Sequence, residues 1–273
     1  MRLRDLALPL AAVLTVCSCA GALSDTRSLL SLGSLRIGVK ADQPSLGLRG
    51  ADGSFTGFDV DVALDVAERL GVDREDVDFV PLTSAQREEY LREGRVDLVV
   101  ATYSITPARK TEVTFAGPYY VAHQDTLVRA EETSIRDVRD LEGRRLCQGE
   151  GSNSADRIIE ERGIGARLVE APSYSACVSM LAEGEADAVS TDDLILAGFL
   201  LQDRSAFKLV NAPFTDERYG IGVAEQDVSG CEAVNRAITD MYQDGTAERL
   251  LRTWFGDTGL DIVTSVPQFE GCS

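Results

Sequence analysis

Residues 101 to 110, Ala-Thr-Tyr-Ser-Ile-Thr-Pro-Ala-Arg-Lys, follow a short apolar run and gather cations, hydroxyls, a tyrosine and a proline. Ser104 and Thr106 supply hydroxyls. Arg109 supplies a planar guanidinium that matches a carboxylate in two parallel hydrogen bonds. Pro107 is placed to start a helix whose N-terminal amides add positive potential. A second apolar run ends in Thr191, Asp192 and Asp193, and Asp192 or Asp193 would receive an ammonium. One cation facing one anion describes a receptor for a free amino acid. The plainer readings are a solvated Arg109 beside Lys110 and Glu112, and a helix N-cap for Asp192 and Asp193.

Those side chains need elements that bring them together, and the chain supplies alternating strands and helices from residue 34. Leu35, Ile37 and Val39 alternate as in a strand, whereas Phe58, Val62, Val66 and Leu70 share one helical face that ends at Gly71. VDFVPL and VDLVVAT are predicted strands, and Thr83 to Gln86 has the spacing of a capping box. This is an open α/β sheet with crossover helices. GRRLCQ, ADRIIEERG, ARLVEA, YSACVSMLAEGEA and DAVSTDD repeat the scheme. Leu91, Glu93, Gly94, Asp97 and Val99 recur ninety positions on as Leu181, Glu183, Gly184, Asp187 and Val189. Two similar lobes follow. Ligands of open α/β sheets bind at the carboxyl ends of the strands, so the loop at Ala101 to Ser104 would face Thr191 to Asp193 across one cleft.

The expected division is a first lobe over 34–122, a second over 123–217, and a return to the first over 218–273 with a C-terminal tail. The two crossovers, near 119–127 and 213–221, would form a hinge. Before residue 34, Arg2 and Arg4 precede an apolar run from Leu6 to Val16, too short to span a bilayer. Residues 1–18 are expected to be a signal peptide and 19–33 a lipid-anchored linker. Val16-Cys17-Ser18-Cys19 resembles a bacterial lipobox with Cys19 as the acylated residue, an ordinary secretory signal being the alternative. Either way the chain is exported, and with the anchor it sits on the outer face of the cell membrane.

The formal net charge is −18; without residues 1–18, Lys plus Arg falls from 27 to 25 and Asp plus Glu from 45 to 44, a net of −19. Such a chain repels nucleic acid and anionic lipid surfaces, and neither is expected as a partner. With Cys19 acylated, Cys147, Cys177, Cys231 and Cys272 remain beyond the leader, an even count that outside the cytoplasm implies two disulfides. Three pairings are open; sequence proximity favours Cys147 with Cys177 and Cys231 with Cys272. No zinc-type spacing occurs, and no metal or cofactor is expected.

GFDVDVA, VDLVVATYSITPARK, FAGPYY and STDDLILAGF together resemble the polar amino-acid-binding proteins of ABC importers, solute-binding protein family 3. VKADQPSLGL with ATYSIT is similar to its glutamate-binding lipoprotein branch. The resemblance spans residues 34 to about 255. It implies a two-lobed periplasmic binding protein (type II) fold, two α/β lobes joined by two crossover strands. Carried over by position, it implies that Arg109 clamps the α-carboxylate, helped by the Ser104 hydroxyl and the Ser104 or Thr106 backbone. The carbonyl of Ala101 or Thr102 and the Asp192 carboxylate take the ammonium. Gly151 and Ser152 present backbone donors from the second lobe, and Thr191 touches the ligand. Two positions depart from the glutamine-binding pattern: Lys40 replaces an acidic residue, and Ser84 replaces an aromatic platform, leaving Tyr103 as a stacking candidate. Lys40, with Arg87, favours a side-chain carboxylate, hence glutamate, with aspartate, asparagine and glutamine as further candidates and an ABC permease as partner. The competing expectation is that Lys40 pairs with Asp42 or Asp59.

Three other functions compete. GEGSNS with Glu170 has part of a dinucleotide fingerprint but lacks its third glycine. A dehydratase-like enzyme on the same architecture would need an acid such as Glu150 or Asp193, since the one histidine, His123, falls at the hinge. An amino-acid sensor acting through a membrane partner would use the same lobes.

Overall fold

The computed structural model describes residues 28–272. The signal segment, Cys19 and the start of the linker lie outside the described residues. In the first lobe, β1 (Leu35–Val39) leads to the small hairpin strands β2 (Asp42–Gln43), β3 (Gly47–Arg49) and β4 (Phe55–Thr56), and then to α1 (Phe58–Arg69). β5 (Val77–Pro81), α2 (Arg87–Arg92), β6 (Leu98–Val99) and β7 (Thr114–Ala122) follow. After His123 the chain enters the second lobe: β8 (Gln124–Arg129), β9 (Arg145–Gly149), α3 (Ser154–Ile159), β10 (Arg167–Ala171), α4 (Tyr174–Ala182), β11 (Ala188–Asp192), α5 (Asp193–Gln202) and β12 (Phe207–Leu209). It returns through β13 (Glu217–Val223) to α6 (Val228–Gln243) and α7 (Thr246–Phe255).

The sheet orders are β5-β1-β6-β13-β7 and β10-β9-β11-β8-β12. In each, parallel strands of the βαβ type adjoin strands that arrive antiparallel from the other lobe. Phe58, Val62, Ala63, Val66 and Ala67 of α1 are buried, the face their spacing predicts. The capping box at Thr83 and Gln86 is present, closing a 3₁₀ turn just before α2.

The ninety-residue recurrence has a physical content. Asp97 accepts from the backbone N–H of Arg36 at 2.8 Å and from its guanidinium at 2.8 Å. Asp187 accepts from the backbone N–H of Arg145 at 2.8 Å and from its guanidinium at 2.6 Å. Each aspartate thus locks the strand it precedes against the first strand of the βαβ unit in its own lobe. Gly94 and Gly184, both at positive φ (63° and 76°), end the helices that lead there.

Two disulfides tie down the second lobe and the tail. Cys147 on β9 joins Cys177 on α4, and Cys231 on α6 joins Cys272, the pairs that proximity favours. Closing loops of 30 and 41 residues contributes about 4 kcal/mol each by loop entropy.

Candidate ligand-binding site

The carboxyl ends of β6 and β11 face each other across the lobes, and the cleft between them is lined by Thr102, Ser104 and Arg109 on one side and Ser152, Thr191 and Asp192 on the other. The loop after β6 is held against its own backbone preference. Thr102 is a β-branched residue at φ 43°, a conformation that costs about 1–3 kcal/mol and persists only when its surroundings enforce it. Three groups enforce it. Asp59, at the start of α1, accepts the Thr102 N–H at 2.8 Å; Gln43 accepts the Thr102 hydroxyl at 3.2 Å; Arg87 donates to the Thr102 carbonyl at 3.2 Å. Asp59 is fully buried and also accepts from the Tyr119 hydroxyl at 2.7 Å. Burial pushes its pKa up to about 6 against the pull of those donors.

Arg109 donates from Nη1 to the Ser104 carbonyl at 2.8 Å and from Nη2 to the Gly151 carbonyl at 3.2 Å; its Nε lies 3.4 Å from Glu88. One N–H on each terminal nitrogen is left over, the pair a carboxylate fork requires. Its side chain is only 11% exposed, so it is not a solvated surface charge. Arg87 is buried, and its Nε and both Nη atoms donate to the carbonyls of Ser84, Ala101, Thr102 and Gly151. That leaves one N–H of five. Burial, and then the charge of Arg109, lowers its pKa to about 10.

Asp192, 5% exposed, supplies the opposing carboxyl group and accepts from the Tyr219 hydroxyl at 2.7 Å. It is the N-cap of α5 by position, but its carboxylate makes no capping bond. Burial, then the charge of Glu217, raises its pKa to about 8, with Arg109 pulling the other way. Glu217 is in turn held by Arg157 at 2.9 Å. Asp193 plays a different part, accepting the His123 and Leu194 N–H groups at 3.2 and 2.8 Å and so fixing the helix start to the hinge.

Lys40 donates to the Ser84 hydroxyl at 2.7 Å and, among the described residues, forms no ion pair with Asp42 or Asp59. Burial, and then Arg87, pulls its pKa well below the usual lysine value. Asp42 instead accepts from Ser175 of the second lobe at 2.8 Å, a bond that closes the cleft mouth. The second lobe adds a hydroxyl chain in which Tyr174, Ser152, Ser154 and Thr191 are linked at 2.8–3.2 Å.

Several sequence expectations need correction. Tyr103 is no platform in the cleft: it is fully buried, with Arg87 4.4 Å and Arg109 5.3 Å above its ring, and it stacks the site's cations instead of a ligand. Ala101 lies in the core, and its carbonyl serves Arg87. Thr106 caps the turn to Arg109 through its hydroxyl at 3.2 Å. Pro107 starts no helix, only the 3₁₀ turn Arg109–Thr111, so this segment brings no helix dipole to the site. The Gly151 carbonyl accepts from Arg87 and Arg109, and the Ser152 N–H is spent on the Gly149 carbonyl. Gln43, Asp59, Tyr174 and Tyr219 were missed, although Asp59 stands inside the GFDVDVA motif.

Two α/β lobes with a polar, charge-opposed cleft at their strand ends define a two-lobed solute-binding protein. Residues 35–257 match the bacterial extracellular solute-binding proteins, family 3, and the chain belongs to that family. It is 39% identical to the glutamate-binding protein GluB of Corynebacterium glutamicum, over 93% of this chain and 89% of that protein. It is 33% identical to the ABC transporter glutamine-binding protein GlnH of Bacillus subtilis, over 80% of this chain and 79% of that protein. An ancestral arginine-binding protein bound to arginine superposes with a TM-score of 0.76 at 32% identity, over 82% of this chain and 99% of that one. These relatives are named as binding proteins, and the chain is a solute-binding protein, not an enzyme. Among the described residues no helix is long and apolar enough to cross a membrane.

Proposed function

We propose that the protein is an exported, lipid-anchored receptor that captures glutamate outside the cell and delivers it to an ABC permease. The observation that carries the choice of an acidic ligand is Lys40, a buried amine whose one hydrogen bond among the described residues is to the neutral Ser84 hydroxyl. Arg109 and Asp192 answer the two poles of any amino acid. Lys40, with the spare N–H of Arg87, calls for one more negative charge, which a side-chain carboxylate supplies. A charge-assisted bond of this kind is worth about 1.5–3 kcal/mol, roughly ten- to a hundredfold in selectivity over the neutral amide. The named ligand of the 39% identical relative supports the same choice.

The mechanism is hinge closure. The ligand's carboxylate binds the first lobe and its ammonium the second, so its binding energy is greatest when the lobes are shut, and the closed population rises with occupancy. The permease then reads closure. Anchoring through Cys19 keeps the receptor at the outer membrane face. Calorimetric titration of the ligand-stripped protein against the twenty amino acids tests the reading. Glutamate binds tightest and aspartate next; a neutral or basic amino acid binding tightest overturns it.

A further inference from the structure

Two chambers adjoin in the closed cleft and share three lining residues. The inner one, between Arg109 and Asp192, has a volume of about 10 Å³, so an amino-acid head enters it only when the lobes part slightly. The outer one, about 330 Å³, stays open with the lobes shut. Gln43, Ser84 and Tyr174 line both and form the partition. Lys40 lines the outer chamber and not the inner, and the other walls there include Pro81, Leu82 and Pro172. The Lys40 Nζ lies 2.7 Å from the Ser84 hydroxyl at the partition, so it meets the side-chain carboxylate of glutamate there and is also within the chamber that the terminal carboxylate of a ligand one residue longer would enter.

We infer that the outer chamber takes a second residue joined through the side-chain carboxyl of the bound glutamate, so that the ligands include γ-glutamyl dipeptides. This rests on the glutamate reading above. In such a ligand the head keeps its α-ammonium and α-carboxylate for Asp192 and Arg109. The linking amide passes the partition, where the Gln43 side-chain nitrogen donates to no described protein group and the Ser84 hydroxyl is free to donate onward. The second residue's side chain meets the proline and leucine walls, and its terminal carboxylate reaches Lys40. The space is ample, because one residue of ordinary size fills well under half of it. An α-linked dipeptide is excluded on chemical grounds, since it spends the carboxylate that Arg109 needs on its peptide bond.

The experiment is calorimetric titration of the ligand-stripped protein with L-glutamate, γ-L-glutamyl-L-alanine and α-L-glutamyl-L-alanine, on the wild type and on Glu150→Trp. Glu150 is exposed and lines the outer chamber but not the inner, so an indole there takes up space that only the second residue needs. The γ-linked dipeptide binds within tenfold of glutamate, and the α-linked one at least a hundredfold more weakly. Glu150→Trp weakens the γ-linked dipeptide at least tenfold and leaves glutamate within twofold. Tight glutamate binding with a γ-linked dipeptide a hundredfold weaker overturns the outer subsite and leaves the glutamate reading standing. Equal losses of both ligands in Glu150→Trp also overturn the subsite, and failure of glutamate itself to bind overturns the reading beneath it.

Discussion

Arg109 of the first lobe donates from Nη2 to the carbonyl of Gly151 in the second at 3.2 Å, so the group assigned to the ligand's carboxylate is also a group that holds the lobes shut. Arg87 donates to the same oxygen at 3.3 Å. Ligand recognition and closure share their hydrogen bonds. The Gly151 carbonyl is therefore a latch, not merely part of a wall.

Gly151 adopts φ +74°, and a Cβ there would lie 2.4 Å from the Ala85 backbone nitrogen across the cleft. Gly151→Ala should fold but close poorly. Glutamate affinity falls at least tenfold, and small-angle scattering shows a larger radius of gyration with ligand present than for wild type. Unchanged affinity and closure would show that the turn does not meet the first lobe.

Arg109→Ala removes the fork and should abolish measurable binding while leaving the circular-dichroism spectrum intact. Arg109→Lys keeps the charge without the bidentate geometry and should lose at least a hundredfold. Retention within a few-fold in both variants contradicts the site.

Lys40→Ala should lower glutamate affinity about ten- to a hundredfold and leave glutamine within a few-fold, since only the charged side chain loses a partner. The ratio of the two dissociation constants is the readout, and an unchanged ratio contradicts the role given to Lys40.

Binding should strengthen with pH between about 6 and 8. Asp192, with a pKa pushed up to about 8, holds a proton over this range, and that proton must leave before the carboxylate can meet an ammonium. Each unit below about 8 thus costs up to tenfold in affinity. The lowered pKa of Lys40 acts in the opposite sense, weakening binding toward the alkaline end. Titration in buffers of different ionisation enthalpy should detect proton release on binding at pH 7, and Asp192→Asn should flatten the profile. A wild-type profile already flat from pH 6 to 8 contradicts the assignment.

Replacing Cys231 and Cys272 by serine should lower the melting temperature by on the order of 10 °C, from about 4 kcal/mol of loop entropy. Glutamate affinity should stay within twofold, because neither residue lines the cleft.

The legible part of this protein was local or repetitive. The α1 face, the capping box at Thr83 and the recurrence of Asp97 as Asp187 need only spacing. Arg109 and Asp192 were legible because a strand end with an unusual charge has few other uses. The Thr102 conformation was not, since it depends on Asp59 and Arg87 converging from two helices. Tyr103 misled because an aromatic residue in a site motif suggests stacking on a ligand, while the fold turns its ring beneath two guanidinium groups. Pro107 misled because a helix start needs following turns that this segment lacks.

The most direct check on the two-pole arrangement is a calorimetric comparison of L-glutamate with glutarate, which lacks the ammonium, and 4-aminobutyrate, which lacks the α-carboxylate. Each analogue should bind at least a hundredfold more weakly than glutamate. Either one binding within a few-fold of glutamate would contradict the pairing of Arg109 and Asp192 around a single zwitterion.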